Sequence, residues 1–427
     1  MPSRAAPLGK DENHDRRYAW VVLIIATLAV FAAIGLGRFG YTMLLPSMQT
    51  HLNLNNAQSG ALAAANILGY LALAVGGGAL GARFGPRAVI VAGMVVTGVG
   101  MVLTGLAGGF LSAVVFRVLT GMGSGATYVP VMALLPAWFA PRRRGLASGI
   151  AVGGSSLGLI IIGPLVPRVI ALYAEEGWRV SWYIFGGATL AIALLAFFFV
   201  FNSPGEKGAR SARRVGAERG RPQPVAGWSG VYRSLPVLHL GLIYLGYGFA
   251  FYVYMTFFTK HLMADAGYSR EAAGTLFMLM GWLSLPCTIL WGWISDHTGR
   301  RASLLVVLLA QALALGLFGL GSDRVSLTIS ALVFGLSAWS IPAIVAAMCG
   351  DMLTPRLASA ALGYLTMFFC LGTAIGPSVA GWLADRSGSF HAAYLMAAAV
   401  AVLAAAAVPV LRPMSTGLPD LASDASP

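Results

Sequence analysis

Long apolar stretches alternate with short polar ones along almost the whole chain. A helix needs about 20 mostly apolar residues to cross the hydrocarbon core of a bilayer. Glycine and proline within such helices are tolerated, because neighbouring helices satisfy the backbone groups that they leave free. The pattern predicts twelve transmembrane segments, numbered in chain order: 20–48, 57–82, 88–108, 111–138, 145–172, 180–201, 236–262, 271–295, 302–321, 327–350, 357–383 and 390–411.

A long polar stretch divides these segments into two groups of six. It carries seven Lys and Arg residues, which suits a loop in water. The predicted fold is all-α, with twelve transmembrane helices in two pseudo-symmetric six-helix bundles. The predicted domains are a cytoplasmic tail at 1–19, the first bundle at 20–202, a cytoplasmic central loop at 203–235, the second bundle at 236–412 and a cytoplasmic tail at 413–427.

Composition narrows the class of protein. Of the 427 residues, 58% are hydrophobic and 10% are charged, and the mean hydropathy is +0.77. A soluble domain carries about 25% charged residues, so the sequence excludes a soluble enzyme, a nucleic-acid-binding domain and a disordered scaffold. Residues 1–19 are polar and precede an apolar run that is too long for a cleaved signal peptide.

The net charge of +13 is distributed unevenly along the chain. Cytoplasmic loops of membrane proteins carry an excess of Lys and Arg. With both termini in the cytoplasm, twenty Lys and Arg residues fall on that side and six on the outer side. We therefore expect a multi-pass protein of a bacterial inner membrane, with both termini cytoplasmic.

No cofactor or metal site is predicted. The cysteines Cys287, Cys349 and Cys370 lie in apolar segments and are odd in number, which does not indicate a disulfide framework. The six histidines show no pairing at the spacing of metal ligands. The chain lacks a Gly-Lys-Ser/Thr phosphate loop, so it is not expected to use ATP itself.

The two halves of the chain resemble each other. Three pairs of landmarks recur at offsets of 214, 213 and 211 residues: GALGARFGPR from Gly78 with GWISDHTGRR from Gly292, Gly163-Pro164 with Gly376-Pro377, and GWRVSWYIFG from Gly177 with GSFHAAYLMA from Gly388. A nearly constant offset indicates internal duplication. Paired six-helix halves with a site near the membrane midplane are a transporter architecture.

Four motifs carry a resemblance to a known family. The loop after segment 8 contains Gly292, Asp296, Gly299, Arg300 and Arg301. The loop after segment 2 repeats this motif in part, with Ala82 where an Asp is expected and with Gly78, Arg83, Gly85 and Arg87. Segments 4 and 5 add Arg117, Gly121, Gly123 and Gly125, then Gly154, Gly158, Gly163 and Pro164. In these motifs and their order, residues 20–411 resemble a major facilitator superfamily transporter.

Within that superfamily, the chain resembles the monocarboxylate and oxalate–formate branch. RRRGLASG before segment 5 and GSSLG within it are similar to sequences of that branch. In segment 1, Arg38 of GRFGYTMLLP stands where monocarboxylate carriers have a basic residue. The chain departs from the branch in segments 8 and 11, because neither has a basic residue in its middle, where the branch binds oxalate.

The charges within the membrane segments favour an anionic substrate. Every Asp and Glu lies in a tail, a loop or a helix end, whereas Arg38 and Arg117 lie inside segments 1 and 4. A charge at the bilayer centre costs about 2.5–3.5 kcal/mol or more, and a guanidinium binds a carboxylate through two hydrogen bonds. Arg38 is therefore the predicted main anion partner. The alternative is an arginine that extends to the outer interface.

Arg117 has two interpretations. It shares one face of segment 4 with Gly121, Ser124 and Tyr128. In the superfamily, this arginine is thought to bond to the backbone of the first helix and to support coupling. Substrate binding and a structural role both stay open for Arg117, and Tyr128 is included in the predicted substrate site.

Further substrate contacts are predicted in segments 7, 10 and 2. One face of segment 7 carries an aromatic stripe: Tyr244, Tyr247, Phe251, Tyr254 and Phe258. Segments 1, 4, 7 and 10 line the cavity in the superfamily, so Tyr247 and Tyr254 are the predicted contacts, together with Trp339. Such a stripe also packs well against a neighbouring helix. Asn66 and Tyr70, one turn apart, either complete a polar wall or bond between helices.

The loop motifs predict a conformational latch. Its residues are Arg83, Gly85, Arg87, Asp296, Gly299, Arg300 and Arg301. Asp296 is predicted to accept backbone N–H groups near Arg144 and Gly145, which would favour the outward-open state; alternatively it pairs with Arg300 at the surface. Small residues and prolines are assigned to close helix packing: Gly121, Gly125, Gly158, Gly163, Pro164, Gly376 and Pro377.

Together these features predict a secondary transporter, not an enzyme. It would move a small organic anion, a carboxylate, across the lipid bilayer by alternating access, and it is expected to be a monomer without a nucleic-acid partner. Uniport, proton symport and anion exchange stay open. Two other functions remain as alternatives: an exporter of neutral or hydrophobic compounds, with Arg38 structural, and a non-transporting membrane sensor.

Overall fold

A computed structural model of the chain describes residues 10–140, 143–203, 232–321, 323–352 and 355–411. These residues form α-helices joined by short turns. We label the helices α1 Lys10–Val30, α2 Gly40–His51, α3 Asn56–Phe84, α4 Pro86–Gly105, α5 Phe110–Trp138, α6 Arg144–Tyr173, α7 Gly177–Phe199, α8 Leu235–Ala264, α9 Arg270–Thr298, α10 Arg300–Leu320, α11 Arg324–Ser337, α12 Ile341–Met352, α13 Pro355–Ser387 and α14 His391–Ala407.

The helices have the length and composition of membrane spans. Among the described residues, ten helical stretches are long and apolar enough to cross a bilayer. Arg144–Phe199 counts as one stretch of 56 residues, because the 3₁₀ turn Ala174–Glu176 joins α6 directly to α7. Helix α14, with 17 residues, is shorter than the ten. The chain is therefore an all-helical, multi-pass membrane protein, and twelve crossings stay a prediction.

Two predicted segments contain a change of helix type. In segment 1, the π-helix Phe31–Phe39 separates α1 from α2. In segment 10, the 3₁₀ turn Ala338–Ser340 separates α11 from α12. Pro342 follows this turn, and proline cannot donate a backbone hydrogen bond within a helix. The apolar pattern does not distinguish these short elements from ordinary α-helix, because their side chains are as apolar as those of their neighbours.

The two connections with the repeated loop motif have the same backbone conformation. Gly85 separates α3 from α4 with φ +85°, and Gly299 separates α9 from α10 with φ +89°. Residues other than glycine rarely adopt such φ values, so glycine suits both positions. Because the two glycines are 214 residues apart, this shared local geometry agrees with the duplication seen in the sequence.

The chain divides into two compact units. Unit 1 consists of Met1–Tyr41, Leu68–Ile162 and Arg168–Arg221, and unit 2 consists of Thr42–Ile67, Gly163–Pro167 and Pro222–Pro427. Within unit 1, α4 packs against α5 and α7. Within unit 2, α8 packs against α13 and α14, and α10 packs against α14. Residues 42–67 thus belong with the second sequence half, although they precede the predicted domain boundary.

Several predicted features lie outside the described residues. They are the tail residues 1–9 and 412–427 and most of the central loop, residues 204–231. The predicted domain boundaries therefore stay predictions.

Candidate functional site

The π-helix places Arg38 deep within its membrane segment. Arg38 is a basic residue in the last turn of the π-helix Phe31–Phe39, and the 12-residue helix α2 follows this π-helix. At 1.5 Å per residue, α2 alone is about 18 Å long, more than half of the roughly 30 Å hydrocarbon core. The alternative of an arginine that extends to the outer interface stays open. Short π-helical stretches are frequent at functional sites.

Helix α5 binds the backbone of the π-helix at two points. The Arg117 guanidinium donates a hydrogen bond from Nη1 to the carbonyl oxygen of Gly37, at 2.7 Å. The Ser124 hydroxyl donates to the carbonyl oxygen of Ala33, at 2.8 Å. Ser124 follows Arg117 by two helical turns, so both side chains lie on the same face of α5. They fix the segment of backbone that carries Arg38.

Arg117 is enclosed by protein. Its side chain is 1% exposed, and its guanidinium carbon lies 4.8 Å from the ring centre of Tyr41 and 5.4 Å from that of Trp182. Cation–π contacts of this kind stabilise a desolvated guanidinium. Of the two interpretations of Arg117, this geometry favours the structural one.

Arg38 lies among tyrosines. Its guanidinium carbon is 4.5 Å from the ring centre of Tyr70. The two tyrosine rings are 6.4 Å apart. Arg38 and Tyr128 both keep partial exposure, unlike Arg117. The structure thus brings three of the predicted substrate residues together: Arg38, Tyr70 and Tyr128.

Glycines let α6 approach the helix of Arg38 closely. A Cβ added at Gly35 would lie 2.9 Å from the Cα atom of Gly158, a distance that real Cβ atoms essentially never show. At Gly154, an added Cβ would meet the carbonyl group of Thr27. Because these backbones touch, larger side chains would push α6 away from the π-helix.

The sequence that forms this cluster carries no acidic residue. No Asp or Glu occurs anywhere between Asp15 and Glu175, so α2 to α6 contribute no carboxylate. Glu176, just beyond α6, pairs with Arg179 at 3.1 Å. Arg38 and Arg117 therefore lie in a long region of sequence that supplies cations and no anions, which favours an anionic ligand.

The predicted aromatic contacts of α8 form a cluster within unit 2. The Tyr247 hydroxyl donates to the carbonyl oxygen of Ala338, at 2.9 Å. The Tyr254 hydroxyl shares a hydrogen bond with the Ser330 hydroxyl, at 2.9 Å, and its ring stacks on Phe334, at 3.8 Å between centres. Both tyrosines are buried. This geometry favours packing and helix connection, and substrate contact by these tyrosines stays a prediction.

Trp339 and Asn66 are the two remaining predicted substrate contacts. Trp339 is half-buried in the 3₁₀ turn and packs edge-on against Phe251, at 5.2 Å between ring centres. Asn66 is 1% exposed on α3. It lies in the part of α3 that belongs to unit 2, whereas Tyr70 belongs to unit 1. Their substrate roles stay predictions.

The residues of the predicted latch contact residues of their own unit. Arg300 pairs with Asp296 and also donates to Asp351 Oδ2, at 2.9 Å, and to the Ser295 hydroxyl, at 2.6 Å. The pair of Arg300 with Asp296 is the alternative interpretation that the sequence left open for Asp296. In the repeated loop, the Arg87 backbone N–H donates to Asn202 Oδ1, at 2.9 Å.

The two loops contain two further basic residues of the predicted latch. Arg83 is exposed beside the ring of Phe84, and Arg301 is half-buried. An interaction of Asp296 with the start of α6 stays a prediction.

The glycines and prolines assigned to packing lie at close helix contacts. A Cβ at Gly376 would meet the Phe249 carbonyl oxygen at 2.7 Å, and one at Gly125 would lie 2.9 Å from the Ala74 nitrogen. Gly163 and Gly274 face each other's backbones. Pro164 and Pro377 each follow such a glycine within α6 and α13, and Gly121 is buried on α5.

A buried histidine, His261, pairs with Asp265, and this pair was not predicted from the sequence. His261 is fully buried on α8, with Nδ1 2.8 Å from Asp265 Oδ2 and Nε2 2.8 Å from the Phe318 carbonyl oxygen. Burial raises the pKa of the Asp265 carboxyl, but hydrogen bonds from His261 and from the Phe390 backbone N–H outweigh it and lower the pKa below its usual value. The i, i+4 spacing of His261 and Asp265 was the available signal.

Among the residues that the structure describes, no group of three or more His, Cys, Asp or Glu side chains is arranged to hold a metal ion.

A protein-family model matches most of the chain. Residues 30–409 match the family model described as "Uncharacterised MFS-type transporter YbfB", where MFS stands for major facilitator superfamily.

Curated relatives match along most of their length. A hexuronate transporter of Bacillus subtilis is 27% identical over 87% of this chain and 90% of its own. A probable sulfoacetate transporter of Cupriavidus necator is 25% identical, over 93% and 94%. The human monocarboxylate transporter 11 is 24% identical, over 90% and 80%. These proteins are transporters and not enzymes.

Solved structures share the fold. The nucleoside transporter NupG superposes with a TM-score of 0.72 at 13% identity, covering 92% of this chain and 98% of NupG. A D-xylose–proton symporter superposes with a TM-score of 0.71 at 18% identity, over 94% and 99%.

Proposed function

We propose that this chain, which belongs to the family of MFS-type transporters, moves a small organic anion across the membrane. Family membership rests on the match over residues 30–409. The anion, in our proposal a carboxylate, is carried by secondary transport with alternating access. The similarity to hexuronate, sulfoacetate and monocarboxylate transporters places the chain near the monocarboxylate branch of the superfamily.

The observation that carries the proposal is the surroundings of Arg38. Arg38, a residue that keeps partial exposure, lies in a π-helical segment within a long apolar helix, in a region whose sequence has no carboxylate. Intramembrane charges of this kind commonly mark a substrate pathway. A bound carboxylate would neutralise the charge and accept two parallel N–H bonds.

Tyr70 and Tyr128 suit a supporting role around the anion. The cation–π contact of Arg38 with Tyr70 involves the face of the ring, and it does not use the N–H donors with which a guanidinium binds a carboxylate. Tyr70 therefore orients Arg38 without competing with the ligand. The Tyr128 ring lies 6.4 Å from that of Tyr70, and in this proposal its hydroxyl bonds with a second polar group of the substrate.

Arg117 and Ser124 act in this proposal through the backbone. Their bonds to Gly37 and Ala33 hold the π-helix in place. Arg117 is thus a positioning residue for Arg38 rather than a ligand of the anion.

The similarity to curated relatives supports the chemical class of the substrate. Hexuronate, sulfoacetate and monocarboxylates, which name three of the relatives, are all organic anions. We extend this class to the present chain because a cationic site suits any of them. The coupling mode stays open among uniport, proton symport and anion exchange.

The membrane arrangement that we propose follows the distribution of basic residues. Twelve crossings in two six-helix bundles would place both termini in the cytoplasm and the Gly85 and Gly299 loops on the same side. We propose the inner membrane of a bacterium as the location, and a monomer as the working form.

Counterflow in proteoliposomes tests the proposal. Purified protein is reconstituted with a panel of internal anions, namely lactate, pyruvate, oxalate, tartrate, a hexuronate and aromatic acids, and with neutral amides of the same acids. We expect at least one labelled anion to exchange and its neutral amide not to exchange. Arg38→Ala should abolish this exchange, because the anion then loses its charge partner.

Arg179→Ala is the matched control for Arg38→Ala. Arg179 also lies in unit 1, donates to the carbonyl oxygen of Gly105, at 2.6 Å, and lies over the ring of Trp178, at 4.4 Å. It should leave anion exchange nearly unchanged. Exchange of neutral compounds that survives Arg38→Ala would instead indicate an exporter of neutral solutes. No exchange of any compound would indicate a sensor.

A further inference from the structure

Helix α3 begins against a carboxylate from a distant part of the chain. The backbone N–H of Asn56 donates to Asp385 Oδ1, at 2.9 Å, and that of Ala57 donates to Oδ2, at 2.8 Å. Asp385 lies near the end of α13, 329 residues after Asn56. The first N–H groups of a helix have no partner within the helix, and negative charge is favourable there.

Glycines bring the two helices into backbone contact around this carboxylate. A Cβ added at Gly381 of α13 would lie 2.6 Å from the carbonyl carbon of Asn56. A Cβ at Gly60 of α3 would meet the carbonyl group of Pro377. Side chains at these glycines would separate α3 from α13 and carry Asp385 away from the N–H groups.

Two other helix starts in unit 2 have a cap from their own segment, whereas the N–H of Phe390 at the start of α14 donates to the distant Asp265 Oδ2, at 2.8 Å. Ser269 accepts the N–H of Ala272 at the start of α9, at 3.2 Å. Asp323 accepts the N–H of Ser326 at the start of α11, at 2.9 Å.

Helix α9 follows α3 by 214 residues in the internal repeat. Helix α3 has such a local cap too, because Asn55 Oδ1 accepts the backbone N–H of Gln58, at 2.7 Å. Asp385 therefore adds a second, distant partner at this helix start, for the N–H groups of Asn56 and Ala57.

A second contact joins the same parts of the sequence. The Arg270 guanidinium at the start of α9 donates to the Ser47 hydroxyl near the end of α2, at 2.9 Å. Helices α2 and α3 are separated by only a short turn. Two polar contacts thus connect α2 and α3, from the first sequence half, with α9 and α13, from the second.

We propose that Asp385 is a latch that holds the start of α3 against α13 and that opens once in each transport cycle. The proposal rests on the alternating access of the proposed function, which requires each membrane face to open in turn. In the proposed topology this is the outer face, opposite to the Asp296 motif. Opening exposes the two N–H groups and the carboxylate to water. The free-energy cost is modest, because water solvates these groups and Asp385 is already exposed.

Distance measurements between spin labels test the latch. The labels are placed on Ala61→Cys in α3 and Ser389→Cys after α13, in protein whose native cysteines are replaced by alanine, reconstituted in liposomes. Asp385→Ala should raise the population ratio of the long to the short distance about fivefold, the effect expected for loss of one helix cap. Asp385→Asn should have a smaller effect, since its amide oxygen still accepts one hydrogen bond.

Two controls make the result decisive. Asp323→Ala removes a carboxylate cap that stays within one helix start, so it should leave the distances unchanged. Gly381→Leu inserts a side chain between the two backbones and should give mainly the long distance.

Unchanged distances in Asp385→Ala, with a long distance in Gly381→Leu, would overturn the latch. Unchanged distances in both variants would overturn it as well, because α3 and α13 would then not separate. The measurement needs no substrate, so failure of the anion proposal in counterflow would be seen separately.

Discussion

Arg38 and Arg117 are two cations of unit 1 with opposite surroundings. The Arg117 guanidinium bonds to the backbone of Gly37, lies close to two aromatic rings and is 1% exposed. Arg38, one residue after Gly37, lies over Tyr70 and keeps partial exposure. The two side chains have the same chemistry and belong to the same unit, and they differ in what surrounds them.

The difference separates a structural cation from a cation suited to a ligand. A buried charge is tolerated when hydrogen bonds and aromatic faces replace water, which describes Arg117. A charged residue that keeps partial exposure to water can exchange that water for an anion. The π-helix links the two, since Arg117 bonds to the residue that precedes Arg38. Arg117 therefore acts on the position of Arg38, and Arg38 acts on the substrate.

Substitution of Arg38 should have the largest effect. Arg38→Ala removes a charge-assisted pair of hydrogen bonds worth about 3 kcal/mol, so anion counterflow should fall at least about 100-fold. Arg38→Lys keeps the charge and loses the bidentate geometry, so it should retain part of the activity. The apparent melting temperature of both variants should stay close to that of the wild type. Full counterflow in Arg38→Ala would refute the comparison.

Substitution of Arg117 should act mainly on stability. Arg117→Ala leaves the Gly37 carbonyl group without its side-chain donor and opens a cavity between Tyr41 and Trp182, at a cost of about 2 kcal/mol. We expect a lower melting temperature in detergent and reduced transport of all substrates in the same proportion. A selective loss of anion transport at unchanged melting temperature would instead place Arg117 among the ligands of the anion.

Tyr70 offers a test of how Arg38 is oriented. Tyr70→Leu removes a cation–π contact worth about 1 kcal/mol, so the half-saturating anion concentration should rise about fivefold. Tyr70→Phe keeps the aromatic face and should change that concentration little. The buried Tyr254 provides a control, because its ring stacks on Phe334 in unit 2. Tyr254→Phe should leave transport unchanged, and a loss of transport equal to that in Tyr70→Leu would restore Tyr254 as a substrate contact.

The smallest effect is expected at Ser124. Ser124→Ala removes one hydrogen bond to the Ala33 carbonyl, worth about 1 kcal/mol or less, while Arg117 still binds the π-helix. A slight decrease in melting temperature with normal anion counterflow is the expected result. The double variant Ser124→Ala with Arg117→Ala should lose more stability than the two single variants together, because both side chains hold the same segment. Strict additivity would mean that the two bonds act independently.

Part of the fold and of the candidate site was predictable, and the reasons are local. The apolar lengths predicted the helices, and the matched loops predicted a duplication with which the shared conformation of Gly85 and Gly299 agrees. The location of Arg38 in an apolar stretch predicted a cation inside a membrane segment. The sequence could not assign the hydroxyl of Tyr254 to Ser330 or choose between the two roles of Arg117, because each depends on a partner in another helix.

The sequence alone determined that this protein has a membrane interior with two arginines and no acidic residue between Asp15 and Glu175. Apolar length and charge are read from neighbouring residues, and the energy of transfer into lipid depends on little else. Only the tertiary structure decided that segment 1 contains a π-helix, that Arg117 bonds to it and that Asp385 caps α3. The last two features depend on contacts between residues that are 80 and 329 positions apart, and local composition does not specify such contacts.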